Sequence, residues 1–147
     1  IGDLTLALRG GGVDAVYHDL DESRTAEFAR FHYHRHTGQD LPTRCSTGWE
    51  PDLGYGWDAI ISLDFLEHVT DVEAWAKAIR DALAPGGRFA CQNAFGIGSG
   101  EQGSIPCHLA RNDRFEKDWT PLMASLGFAA AGGGNWWKIE QLEEAAA

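Results

Sequence analysis

The residues of this chain whose types and spacing can do chemistry are a few acids at the ends of apolar runs and a scatter of histidines. Asp64 follows the run Trp57-Asp58-Ala59-Ile60-Ile61-Ser62-Leu63, and Glu67 and His68 come directly after it. In open α/β sheets ligands bind outside the carboxyl ends of the strands, which is where Asp64 falls. Imidazole titrates near neutrality, so His68 is suited to take a proton from a hydroxyl; hydrogen bonding within its loop, or capping of the next helix, is the structural alternative. His108, near Pro106 and Cys107, is a second candidate, weighed against an ordinary surface histidine. Asp19 and Asp21 stand at the end of residues 13–18, read as a buried strand that delivers carboxylates to its edge; either acid is equally a solvated residue at a helix start. His32, His34 and His36 invite a metal reading. On a helix only residues about four apart share a face, which leaves His32 and His36 as a pair with no carboxylate beside them, so a solvated helix is the reading adopted and no metal site is expected.

The elements that must position these residues follow from periodicity. Residues 3–9 carry apolar side chains at helical spacing, with Asp3 placed to cap the first turn and three glycines to stop it. Residues 23–37 form a second helix ended by Gly38, and residues 43–47 a weak strand. Residues 57–63 suit a parallel strand covered on both faces. Thr70-Asp71-Val72-Glu73 matches a capping box, and Val72, Trp75, Ala76, Ile79, Ala82 and Leu83 recur on one helical stripe. Ala84-Pro85-Gly86-Gly87 turns the chain into a strand over 88–93. Residues 94–113 lack any period and read as a long functional loop or lid. Thr120-Pro121 reads as an N-cap followed by proline at the first helical position, and 128–131 with 136–140, joined by glycines, as a hairpin. Strands alternating with helices imply a parallel sheet wrapped on both faces, and the hairpin an antiparallel edge.

Composition bounds the partners. The chain has 12 Lys and Arg against 22 Asp and Glu, a formal net charge of -10, which disfavours a polyanion-binding surface and so nucleic acid. Cys45, Cys91 and Cys107 form no CxxC pair and read as free thiols of a reducing, cytoplasmic compartment. No apolar run approaches the roughly 20 residues that span a bilayer, so no membrane partner is expected.

Two segments carry a resemblance. Residues 58–69, Asp58-Ala59-Ile60-Ile61-Ser62-Leu63-Asp64-Phe65-Leu66-Glu67-His68-Val69, and then Leu83-Ala84-Pro85-Gly86-Gly87-Arg88, resemble the fourth strand and the approach to the fifth in class I S-adenosylmethionine-dependent methyltransferases, in particular their small-molecule branch. The resemblance implies an α/β fold: a doubly wound, mostly parallel, Rossmann-like sheet with an antiparallel C-terminal hairpin. Ile1-Gly2-Asp3-Leu4-Thr5 is similar to the tail of that family's glycine-rich loop, of which only Gly2 survives. The expectation is therefore a single domain over 1–147 that lacks the first strand and binds cofactor poorly by itself.

The same resemblance implies S-adenosylmethionine as cofactor. It puts Gly2 at the methionine moiety, Asp19 (with Asp21 as competitor) on the ribose hydroxyls, and Leu63 and Asp64 near the methionine end, with Asp19 and Asp64 framing one hollow. Trp49 is a candidate to stack on adenine, structural burial being the alternative. Glu67, Asn93 and Phe95 begin the substrate side, although Phe95 also suits a core, and His68 and His108 are the candidate catalytic bases for a small-molecule acceptor. Two rival functions stay open: a non-catalytic binding or assembly module on the same scaffold, and a nicotinamide oxidoreductase, against which the 64–69 segment and the hairpin argue. Trp136, Trp137 and any uncovered sheet edge would favour a homo-oligomer.

Overall fold

A computed structural model of the chain describes residues 2–20, 23–46, 50–96 and 108–139. They fall into two compact units, Ile1–Leu53 and Gly54–Ala147.

The first unit holds α1 (Asp3–Gly10), β1 (Tyr17–Leu20), α2 (Arg24–Thr37) and β2 (Thr43–Ser46). α1 opens from Gly2 in the left-handed region, φ 76°, with no side-chain cap, so Asp3, expected as the cap, is instead the first helical residue. α2 has the start its sequence predicts: Ser23 Oγ accepts from the Ala26 N–H at 2.9 Å. It ends at Gly38, whose positive φ lets its N–H reach the His34 carbonyl at 2.8 Å. Ala29, Tyr33 and Leu41 form the buried cluster, with Leu6 and Tyr17 packed on it. The strand expected over 13–18 begins only at Tyr17. Residues 13–15 are spent on the end of α1 instead: the Val13 N–H donates to the Leu8 carbonyl at 3.0 Å, and the Arg9 guanidinium donates to the Ala15 carbonyl at 2.9 Å. β1 pairs in parallel with β2 from Tyr17 opposite Thr43 to Leu20 opposite Ser46, so Asp19 lies within the strand rather than after it.

The second unit holds β3 (Trp57–Leu63), α3 (Val72–Ala82), β4 (Leu83–Gln92), α4 (Phe115–Ser125), β5 (Phe128–Gly132) and β6 (Asn135–Lys138), with short 3-10 turns at Leu66–His68 and Ala110–Asn112. Its sheet runs β3-β4-β6-β5. β3 and β4 are parallel, while β6 is antiparallel to both β4 and β5, which is the α/β fold with an antiparallel C-terminal hairpin that the element pattern implied. The cap of α3 is Asp71, one residue later than a Thr70 box would put it, and its Oδ1 accepts from the Ala74 N–H at 2.9 Å. Val72, Trp75, Ala76, Ile79 and Ala82 are buried along the expected stripe. β4 already starts at Leu83, opposite Trp57; the Pro-Gly-Gly turn then interrupts the ladder, which resumes at Ala59 opposite Arg88. β3 is the outer strand of this sheet and is not covered on both faces, since Ile61 and Leu63 remain 44% and 51% exposed.

α4 begins at Phe115, ahead of the start that Thr120-Pro121 suggested, and Pro121 lies inside it. Burial of Phe115 and Met123 outweighs the backbone donor that proline removes. Phe89 of β4 meets Trp119 and Phe128, and Trp119 also meets Trp136, each pair with centroids 6.4 Å apart, so hairpin, helix and sheet share one aromatic core. Trp136 is therefore buried rather than offered to a second copy, and exposed Trp137 is capped by the Arg88 guanidinium at 3.9 Å. Gly134, φ 78°, seats the hairpin on β4: its carbonyl accepts from the Cys91 N–H at 2.9 Å, and a Cβ at this position would collide with the Cys91 carbonyl oxygen.

Candidate active site

At the end of β3 the backbone turns sharply at Asp64, the one non-glycine residue with positive φ (51°) among those described. Aspartate is among the side chains that best tolerate that conformation. Its N–H donates to the Gln92 carbonyl at 2.9 Å, so the turn is anchored to β4. Phe65 then packs edge-on against Trp75 of α3, centroids 4.8 Å apart, Leu66 is buried, and the 3-10 turn brings Glu67 and His68 back beside Asp64.

His108 arrives from the other side. The Leu109 N–H donates to the Glu67 carbonyl at 3.2 Å, and the buried Asn112 amide donates to the carbonyls of Glu67 at 3.1 Å and Val69 at 2.8 Å. Asn112 thus ties the segment carrying His108 to the turn carrying His68. The His68 and His108 rings meet edge-on, centroids 4.7 Å apart, and their Nε2 atoms lie 3.9 and 4.0 Å from Asp64 Oδ1. His108 is 2% exposed, which replaces the surface-histidine reading with a buried one. Glu67 is 1% exposed; its Oε1 accepts from the Ala94 N–H at 2.8 Å while Oε2 has no hydrogen-bond partner among the described residues. The Asp64 side chain is by contrast 78% exposed, so the cluster has a wet mouth and a dry floor.

Of the other predicted site residues in this unit, Leu63 presents an exposed apolar side chain beside Asp64. Asn93 has a buried Oδ1 without a hydrogen-bond partner among the described residues. Phe95 packs on Phe115 and Trp119 at 5.6 and 5.7 Å and so belongs to the aromatic core. Trp49 and Asp21, and residues 97–107 of the expected lid, lie outside the described residues.

In the first unit, Asp19 is heavily engaged. Its Oδ2 accepts from the Tyr17 hydroxyl and from Thr25 Oγ1, both at 2.8 Å, and Oδ1 accepts from the Leu20 N–H at 2.7 Å. Oδ2 has used both its lone pairs, so a grip on two ribose hydroxyls requires Tyr17 or Thr25 to let go, whereas Oδ1 keeps room for one donor. Burial, with help from the bond to Asp19, pushes the Tyr17 hydroxyl well above its ordinary range and keeps it a donor. Gly2 sits against α2, where a Cβ would come 3.2 Å from the Ala29 Cβ, so its glycine serves helix packing as well as any ligand. His32 does have a carboxylate beside it, Asp3 of α1 at 3.0 Å, which helical spacing within α2 alone had no means of revealing.

Asn112 is the residue that sequence reasoning missed. It sits in a short turn with no periodicity, and nothing local distinguishes it from a solvated loop asparagine.

The fold is similar to that of solved methyltransferases. Against one from Bacillus halodurans the TM-score is 0.61 with 16% identity, covering 86% of this chain and 58% of that one. Against the Haloferax volcanii methyltransferase in complex with the Trm112 methyltransferase activator it is 0.61 with 22% identity, covering 89% and 58%. Against the T. thermophilus 16S rRNA methyltransferase in complex with AdoMet and guanosine it is 0.52 with 21% identity, covering 93% and 32%. The first two spans are little more than half the length of those chains. No curated protein sequence matches. The architecture is that of the class I S-adenosylmethionine-dependent methyltransferases, as the two motif segments implied. A family described as a methyltransferase domain matches residues 1–147, and the chain belongs to that family.

Proposed function

We propose that the intact protein transfers a methyl group from S-adenosylmethionine to a hydroxyl, amine or carbon of a small-molecule acceptor, and that residues 1–147 are parts of one methyltransferase domain. One observation supports this most: in a chain of this family, an exposed carboxylate flanked by two imidazoles stands at the carboxyl end of β3, where open α/β folds receive ligands. Bound S-adenosylmethionine supplies a methyl group on a sulfonium, which asks of the protein alignment more than covalent chemistry. Leu63 and Asp64 suit its methionine end by exposure and position. Gly2 and Asp19 are assigned to the methionine and ribose, with Asp19 Oδ1 the oxygen that still has acceptor capacity.

At the acceptor end, a hydroxyl proton passes to Nε2 of His68 or His108, and Asp64 stabilises the imidazolium that results. Glu67 holds the turn through Ala94, and Asn93 shapes the acceptor side, with Phe95 behind it in the aromatic core. The net charge of -10 supports a small acceptor over a polyanion. The two described free thiols, Cys45 and Cys91, suit a reducing cytoplasm, and no helix among the described residues is long and apolar enough to cross a membrane.

Titration of S-adenosylhomocysteine into the intact protein tests the reading. Saturable binding is expected, weakened on the order of tenfold by Asp19→Ala, about the worth of one charge-assisted hydrogen bond. Absence of binding sinks it and leaves the second reading, a non-catalytic module, which the occupied Asp19 carboxylate favours.

A further inference from the structure

We propose that Asp64, Glu67, His68 and His108 form a binding site for one divalent first-row transition-metal ion of the zinc, cobalt or manganese kind. One carboxylate oxygen from each acid and one ring nitrogen from each histidine all lie within 4.8 Å of one another, the one such grouping of three or more among the described residues. Bonds of about 2.0–2.2 Å to nitrogen and oxygen put ligand atoms roughly 2.8–3.6 Å from their neighbours around a shared ion, so the donors need to close by less than an ångström each.

Two features point to a ligand rather than to a casual cluster. Glu67 is 1% exposed, its Oε2 has no hydrogen-bond partner, and among the described residues no Lys or Arg makes an ion pair with it. A carboxylate this dry is costly without a positive charge, and among the described residues the arginine ion pairs all go to other acids, which leaves only a cation held by the cluster itself. The backbone is also built around the group: the left-handed turn at Asp64 and the two hydrogen bonds donated by the Asn112 amide bring ligand atoms from separate stretches of chain to one point. Two imidazoles with two carboxylates favour a borderline transition metal over magnesium or calcium, which take mainly oxygen.

The exposed side of Asp64 leaves coordination positions facing solvent. A hydroxyl or other oxygen ligand entering there would be polarised by the ion and lose its proton more readily. In the loaded state the imidazole lone pairs hold the ion, so the proton-accepting role described above is that of the metal-free cluster. This role of the ion rests on the methyl-transfer reading; its binding does not.

The experiment is titration of the chelator-stripped protein with Co2+ alone, followed by visible absorption and calorimetry, then repeated with Zn2+, Mn2+ and Mg2+. One equivalent with the absorption bands of nitrogen-ligated cobalt is expected, and weak or no Mg2+ binding. Asp64→Asn, which keeps a residue tolerant of the left-handed turn, combined with His108→Gln should lower Co2+ affinity on the order of 100-fold with an unchanged far-ultraviolet dichroism spectrum. Asn112→Ser, altering a positioning residue, should lower it about tenfold. His36→Ala should leave it unchanged. No saturable Co2+ or Zn2+ binding overturns the proposal, and so does binding that survives the double variant or disappears in His36→Ala. Metal binding without S-adenosylhomocysteine binding would retain this site while rejecting the methyl-transfer reading.

Discussion

His18 shows what a single buried side chain does to the protein's response to pH. Its ring bonds Ser46 Oγ at 3.0 Å, and burial, opposed in part by Asp19 and Asp52, holds its pKa below the ordinary 6.5. The unfolded chain therefore binds this proton more readily than the folded one, so stability falls as pH drops below about 6.5 and levels off only beneath the folded pKa. His18→Gln, which keeps a partner for Ser46, should flatten that part of the acid limb when Tm is followed from pH 7 to 5; an identical slope in both proteins would contradict it. Some of this scale is legible in the sequence. Asp64 and His68 are picked out by residue type and by their place after a strand, and His108 by residue type within a long aperiodic loop. Their convergence is not, because it depends on Asn112 and on the dryness of Glu67, and both are products of long-range packing that no local window records.

Elements were legible where two independent signals agreed. α3 has a capping signal and an unbroken apolar stripe; the stripe is buried as expected, and the cap falls one residue later, at Asp71. At α4 and β1 one local signal competes with tertiary contacts: Thr120-Pro121 imitates a helix start, yet the burial of Phe115 extends the helix ahead of it. Val13 and Ala15 imitate a strand, yet their backbone closes α1. The hairpin was expected from its glycines, though not its docking on β4. Because a Cβ on Gly134 would strike the Cys91 carbonyl and would also sit at positive φ, Gly134→Ala should cost about 2 kcal/mol or more, read as a fall in the urea midpoint. An Ala variant as stable as the parent would mean that the turn does not hold the sheet.

For the molecule as a whole, the legible part was the family, since residues 58–69 and 83–88 carry a pattern that the match over 1–147 bears out. The acceptor was not legible, because pockets in such folds are built by variable loops. One structural neighbour acts on 16S rRNA, so the acidity of this chain becomes a testable discriminator. With 22 acids against 12 bases, single-stranded RNA should bind more weakly than about 100 µM at physiological salt in fluorescence anisotropy, and micromolar binding would reopen a nucleic-acid acceptor. The left-handed backbone at Asp64 has a final consequence, for how such a protein can drift. Asparagine and glycine both accept that conformation at little expense, so a descendant can lose the acid yet keep its fold, whereas a branched aliphatic there would be purged for misfolding. On the role proposed for Asp64, silent loss of chemistry is the easy path at this position, and a homologue bearing Asn or Gly there would look as well folded as one bearing the acid.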